Sequence, residues 1–247
     1  MKYTTKIVSF VLFLLILPFI LYEKSYALTT YFSDNFESGN LSKWTQNIGN
    51  VGDTSSWFVL DGSLHGKVGI HGFSYLYANV GNLPQNYVFS ADVKNISSVD
   101  QQFVFRVSND KSEYYLVGCR YNDSVWYWDN NNIKVYRIYR DHYETLGVYP
   151  SILIPRTYDI TQGIFHKVRV EVKNNNIKVY FDNVLAVDAN DTNAVFLNGT
   201  GVGLMTWGGD IPKTSENVFS NILISDTVRA KHNKVILIPG LGASWNL

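Results

Sequence analysis

Two hydrophobic patterns divide the chain. Residues 7–21 (IVSFVLFLLILPFIL) form one apolar run of fifteen. As a helix it is about 22 Å long at roughly 1.5 Å per residue, short of a bilayer core of about 30 Å. Lys2 and Lys6 precede it, and Ser25-Tyr26-Ala27 follows as a small-x-small cleavage signal. A basic start, a short apolar middle and a small-residue end predict a secretory signal peptide over 1–27. The alternative is an uncleaved membrane anchor extended through Tyr22. From Thr30 to Asp226 the pattern changes. Runs of four to nine residues alternate apolar and polar and stop at Gly, Asn, Asp or Pro, which predicts strands. They include 87–93 (YVFSADV), 102–107 (QFVFRV), 114–121 (YYLVGCRY), 124–128 (SVWYW) and 133–139 (IKVYRIY). Further runs are 165–172 (FHKVRVEV), 177–181 (IKVYF), 201–206 (GVGLMT) and 218–225 (VFSNILIS).

Period two puts Val168, Val170 and Val172 on one strand face and Lys167, Arg169 and Glu171 on the other. One buried and one wet face is the pattern of an antiparallel sheet. Asn130-Asn131-Asn132 and Asn174-Asn175-Asn176 each separate two such runs, and Asn tolerates the left-handed backbone that tight hairpins need. Some ten to fourteen strands are expected, an all-β fold of two packed antiparallel sheets.

Composition supports a packed core. Hydrophobic residues make up 46% of the 247, aromatics 15% and charged residues only 17%, which excludes a disordered polyelectrolyte. Lys plus Arg and Asp plus Glu both total 21. With no basic excess, binding of nucleic acid by phosphate neutralisation is not expected. Removing 1–27 takes away Lys2, Lys6, Lys24 and Glu23, leaving 18 basic against 20 acidic residues, a net of −2. Cys119 is the only cysteine, so neither an intrachain disulfide nor a cysteine zinc site can form. In YYLVGCRY it reads as a small buried hydrophobe.

The order of several short motifs resembles the concanavalin A-like lectin/glucanase (laminin G-like) sandwiches. Asp34-Asn35-Phe36-Glu37 with Leu41 and Trp44 resembles their opening motif. Trp57, Val59, Asp61-Gly62 and Leu64 resemble the motif that follows. Residues 166–170, then 177–183 with Asp188, resemble a later hairpin; 201–204 and 219–222 resemble the last strands. The resemblance spans nearly all of 32–226 and implies a jelly-roll sandwich over 28–226. It does not name a ligand, because this fold hosts lectins, carbohydrate-binding modules, adhesion modules, glycosidases and lyases. It also implies a calcium ion where the first and last strands meet, held by Asp34, Glu37 or Asp226.

Glycoside hydrolysis needs two carboxylates about 5–10 Å apart. Glycosidases of this fold commonly supply them from an E-x-D-x-x-E run, which this chain lacks. Glu171 stands alone in its strand, Glu113 and Glu144 sit near strand ends, and Asp188 and Asp191 are expected in a loop. His65 and His71, six apart among glycines, match no helical metal pair. The aromatic residues offer more. Trp126 and Trp128 share a face, and Tyr136, Tyr139 and Tyr143 follow with Arg137 and Arg140 interleaved. Rings stack on the C–H faces of sugars, and Arg or Asn side chains bind the hydroxyls. Trp126, Trp128, Arg137, Tyr139 and Trp207 are therefore the candidate ligand-binding residues. The same rings would equally serve to fill a broad core.

Residues 227–233 (TVRAKHN) read as a linker. Residues 235–238 form a continuous apolar run, the mark of a fully buried parallel strand, and Pro239-Gly240-Leu241-Gly242 follows. This tail, 234–247, resembles the first strand and oxyanion loop of lipase-type α/β-hydrolases. Gly240, Leu241 and Gly242 would then form that loop, with a backbone N–H facing a developing oxyanion. No G-x-S-x-G elbow occurs in the chain, so ester hydrolysis by that mechanism is not expected of it as given. The expectation is a truncated chain whose parent is a secreted lipase or esterase with an N-terminal sandwich.

The leading expectation is a secreted or cell-surface, lectin-like module that binds a glycan or cell-surface polysaccharide and delivers a lipase or esterase. No stable membrane span is expected after signal cleavage. The alternatives are a glycosidase or polysaccharide lyase with its site on the sandwich, and a protein-binding adhesion module. The mature N-terminus is expected at Leu28; N-terminal sequencing of secreted material checks it, and a start at Met1 would refute it.

Overall fold

The computed structural model describes residues 28–48, 55–69, 72–81, 83–97, 100–120, 132–139, 142–149, 163–193, 197, 199–208 and 215–227, with backbone alone at 48, 100, 101, 120, 132, 148 and 149. Residues 1–27, Trp126, Trp128, His71 and the tail with Gly240, Leu241 and Gly242 lie outside the described residues.

Among the described residues the alternating runs form fifteen strands, more than the ten to fourteen expected. They are β1 (Thr30–Asp34), β2 (Trp44–Ile48), β3 (Ser56–Leu60), β4 (Ser63–Val68) and β5 (Phe73–Ala78). Next come β6 (Tyr87–Asn95), β7 (Asp100–Val107), β8 (Glu113–Arg120), β9 (Asn132–Tyr139) and β10 (His142–Tyr149). The last are β11 (Phe165–Lys173), β12 (Asn176–Phe181), β13 (Val184–Asn190), β14 (Gly201–Trp207) and β15 (Ser215–Ser225). Among the described residues no helix is long and apolar enough to cross a membrane.

Two antiparallel sheets pack face to face as a jelly-roll sandwich. One runs β13-β12-β11-β6-β15-β4-β3, with β1 also on β15; the other runs β10-β9-β8-β7-β14-β5-β2. Turn chemistry sets the hairpin registers. Asp61-Gly62 and Asp182-Asn183 both take positive φ at two successive residues, the backbone of two-residue hairpins whose twist matches that of the strands. Asn174 turns β11 into β12 with φ of 53°.

The alternation in β11 is realised. Val168, Val170 and Val172 are buried, while Arg169 and Glu171 pair on the other face. Both sheets feed one core. Phe89 meets Phe103 edge to face at 5.1 Å, and Tyr115, Val117, Cys119, Val170, Leu204 and Phe219 share the same cluster. Both buried indoles in it are matched. The Trp57 indole donates to Ser74 Oγ at 2.9 Å, and the Trp44 indole donates to Asp34 Oδ2 at 2.8 Å.

Asp188 differs from the loop expected for it, while Asp191 lies outside the strands as expected. Asp188 lies within β13, opposite Lys178. Asp191 follows that strand directly and is buried. Its carboxylate accepts from the Tyr115 hydroxyl at 2.6 Å and from Asn193 N and Nδ2 at 2.9 and 2.8 Å. Arg137 Nη1 lies 3.7 Å from it. Burial pushes the Asp191 carboxyl up, but the Tyr115 and Asn193 hydrogen bonds and the Arg137 charge outweigh this and hold it below the usual carboxylate range. A lowered folded-state pKa contributes stability that is present above the unfolded value and lost as pH falls through the folded one. Asp191→Asn should therefore cost about 3 kcal/mol at neutral pH and flatten the stability loss below about pH 4. Urea unfolding across pH 2–7 checks both.

Candidate functional site

Strands β5, β7, β8, β9 and β14 also bury the face turned away from the inter-sheet core. Tyr75, Tyr77, Val104, Val107, Tyr114, Leu116, Ile138 and Met205 form a second cluster there. All belong to the seven-stranded sheet, so this is its outer face. Register builds it row by row. Tyr75, Met205, Gln102, Gly118 and Lys134 stand side by side across five strands. The next row is Tyr77, Gly203, Val104, Leu116 and Tyr136. Trp207 lies opposite Phe73 at the end of β14.

The rings order one another. Tyr75 and Tyr77 stack at 5.8 Å and 5°, and Phe73 and Tyr114 meet Tyr75 edge on. The Tyr75 and Tyr114 hydroxyls hydrogen-bond at 2.9 Å. Burial pushes the Tyr77 and Tyr114 phenols well above their ordinary value, so both stay protonated as hydroxyl groups. Phe73, Tyr136 and Trp207 are half-buried and form the accessible rim. Two buried glycines lie among the rings, with different room around them. At Gly203 a Cβ would sit 2.5 Å from the Leu76 carbonyl and 3.1 Å from the Tyr77 ring. At Gly118 the nearest atom would be Gln102 Nε2, at 3.7 Å.

The structure separates the residues that the sequence groups as ligand-binding. Trp207 is on the aromatic face. Arg137 points the opposite way, towards Asp191 and, at 4.0 Å, Glu144, because the register places Glu144 directly opposite it. Tyr139 is exposed and lies beneath the Arg137 guanidinium, its ring centroid 5.5 Å away. Tyr136 and Tyr143 meet edge on at 6.4 Å on the outer face. Sequence reasoning missed Phe73, Tyr75 and Tyr77, whose signal is a ring at every second position of 73–78.

Asp34, Glu37 and Asp226 do not converge. Asp34 pairs with Ile222, and Asp226 lies just beyond Ser225 at the far end of β1. Four strand positions separate them, about 13 Å. Asp34 Oδ1 accepts from Phe36 N at 3.0 Å and Oδ2 from Trp44, while Asp226 accepts from the Tyr31 hydroxyl. Among the described residues no three His, Cys, Asp or Glu side chains are placed to hold a metal ion. His65 is engaged elsewhere, bonded to Glu216 at 2.7 Å and stacked on Phe58. A cavity of about 300 Å³ is lined by Arg106, Ser108, Glu113 and Gly199, among others. Its arginine serves as a brace, donating to the Leu197 and Gln85 carbonyls.

The chain belongs to the family of 3-keto-alpha-glucoside-1,2-lyase-like domains, whose profile matches residues 32–224. No curated protein matches it in sequence. Among solved structures it resembles the carbohydrate-binding module CBM66 of Bacillus subtilis, at 18% identity and a TM-score of 0.56, over 76% of this chain and 98% of that one. It also resembles LamA of Zobellia galactanivorans in complex with laminaritriose and laminaritetraose, at 17% identity and a TM-score of 0.54, over 81% of this chain and 100% of that one. A third is the exoplasmic/lumenal domain of VIP36 in its Ca2+/Man-bound form, at 8% identity and a TM-score of 0.59, over 82% and 93%. Identities this low show the shared concanavalin A-like fold alone.

The two glycines among the rings should respond differently to the same change. Gly203→Ala forces a Cβ against backbone and should cost about 1–3 kcal/mol. Gly118→Ala meets only ordinary contacts and should be neutral or stabilising by up to about 1 kcal/mol. Urea unfolding of the pair checks the packing around each glycine.

Proposed function

We propose that this chain is a secreted carbohydrate-binding module that holds a glycan on the outer face of its seven-stranded sheet. The observation that carries this is the aromatic floor itself, with Phe73, Tyr136 and Trp207 at its accessible rim. Ring faces take up the C–H faces of sugars by apolar contact, and the Tyr75 and Tyr114 hydroxyls supply polar contacts to sugar oxygens. A family described by a glucoside lyase supports a sugar as the ligand. So do relatives of the same fold described as a carbohydrate-binding module or solved with laminari-oligosaccharides or Man. The signal peptide over 1–27 supports secretion. The linker 227–233 and the hydrolase-like opening 234–247, with its Gly240-Leu241-Gly242 loop, support a targeting role within a lipase- or esterase-type protein.

The family description favours one second reading, a lyase acting on glycosides at this same face. Incubation with glucosides oxidised at C3 separates the two. Release of the aglycone would move the assignment from binding to catalysis.

Affinity electrophoresis through immobilised polysaccharides, chosen from a glycan array, tests the binding site. Trp207→Ala should weaken retention at least tenfold, about 1.4 kcal/mol, while still unfolding cooperatively. Trp126→Ala and Trp128→Ala test whether those rings extend the same surface. Retention unchanged in all three would remove these tryptophans from the site.

A further inference from the structure

We propose that the glycan held on the aromatic face is anionic and that Lys111 meets its acidic groups. This inference rests on the glycan-binding reading above and names the chemical class of ligand. Lys111 sits in the turn between β7 and β8, exposed, with its Nζ 4.7 Å from the Tyr77 ring centroid. Its backbone takes φ of 62°, the left-handed region that a long side chain seldom adopts. Its N–H donates to the Ser108 carbonyl at 3.0 Å. The turn thus projects a cation over the aromatic floor at a cost in backbone energy.

The carboxylates nearest in sequence do not neutralise it. Asp110 is occupied within the turn, accepting from Ser108 Oγ at 2.6 Å, Ser112 N at 3.1 Å and Ser112 Oγ at 2.9 Å. Glu113 belongs to the opposite face of β8, which it shares with the core residue Tyr115. Among the described side chains of the outer face there is no carboxylate; by backbone register Asp100 shares the row of Trp207, at the opposite end of β7 from the turn that carries Lys111. An ammonium is a compact point charge, so it attracts carboxylate or sulfate ester alike, and the attraction is screened by salt.

Calorimetric titration with three oligosaccharide sets of equal length tests this: oligogalacturonates, sulfated galactan oligomers and neutral galactan oligomers. The wild-type chain should bind at least one acidic set tenfold or more tightly than the neutral one, with the advantage shrinking between 20 and 200 mM NaCl. Lys111→Met keeps most of the side-chain stem and should lose at least fivefold on the acidic set alone, with an unchanged melting temperature. The preferred acidic set tells carboxylate from sulfate. Equal affinity for neutral and acidic sets, or unaltered acidic binding by Lys111→Met, would overturn the charge preference and leave the glycan reading standing. Binding of none of the three, with no glycan retained on an array, would overturn both.

Discussion

The central strands of the seven-stranded sheet are buried on both faces, and the rest of the molecule answers to that. In β7 every described side chain from Gln102 to Val107 is buried, as is every residue of β8 from Tyr114 to Cys119. A sheet of this kind needs two apolar surroundings. The eight-stranded sheet supplies one, through Phe89, Val93, Val170 and Phe219. The outer face meets the same requirement with large rings that cover one another and the small apolar side chains between them. Tyr75 stacks on Tyr77 and abuts Phe73 and Tyr114. A surface built this way is suited to flat apolar ligands, because the rings already hold their places by mutual contact and little conformational entropy remains to be lost on binding.

Polar groups concentrate where strands end. The Asp191 cluster joins the two sheets at one such margin: Asp191 follows β13 of one sheet, while Tyr115 and Arg137 come from β8 and β9 of the other. The same edge is packed tightly, since a Cβ on Gly147 of β10 would come within 2.8 Å of Val187 in β13. The margin is therefore closed by both contact and charge. It fixes β9 and β10 on the sandwich, and with them Tyr136 and Tyr143 on the outer face.

Much of the fold was legible in the residues. The valines at 168, 170 and 172 announce their buried face because side chains alternate across a strand. Asn174 marks the turn between β11 and β12 because asparagine accepts left-handed backbone more readily than most residues. The site was less legible. The tyrosines at 75 and 77 alternate with Ser74 and Leu76, so the run reads as a strand with neither face marked as core. Arg137 and Tyr139 read as sugar ligands because of their neighbours in sequence. Arg137 turns inward because Asp191, more than fifty residues away in the chain, presents a buried charge that must be paired.

By itself, the sequence determined the all-β class, the alternating strand faces, and the wealth of rings for two apolar surfaces, because these depend on local periodicity and turn chemistry. Only the tertiary structure decided which rings share a face, that Asp34 and Asp226 stand at opposite ends of β1, and that Lys111 reaches over Tyr77. Those relations are set by the order and register of strands far apart in the chain, and pairing between distant segments leaves no periodic trace in either segment alone.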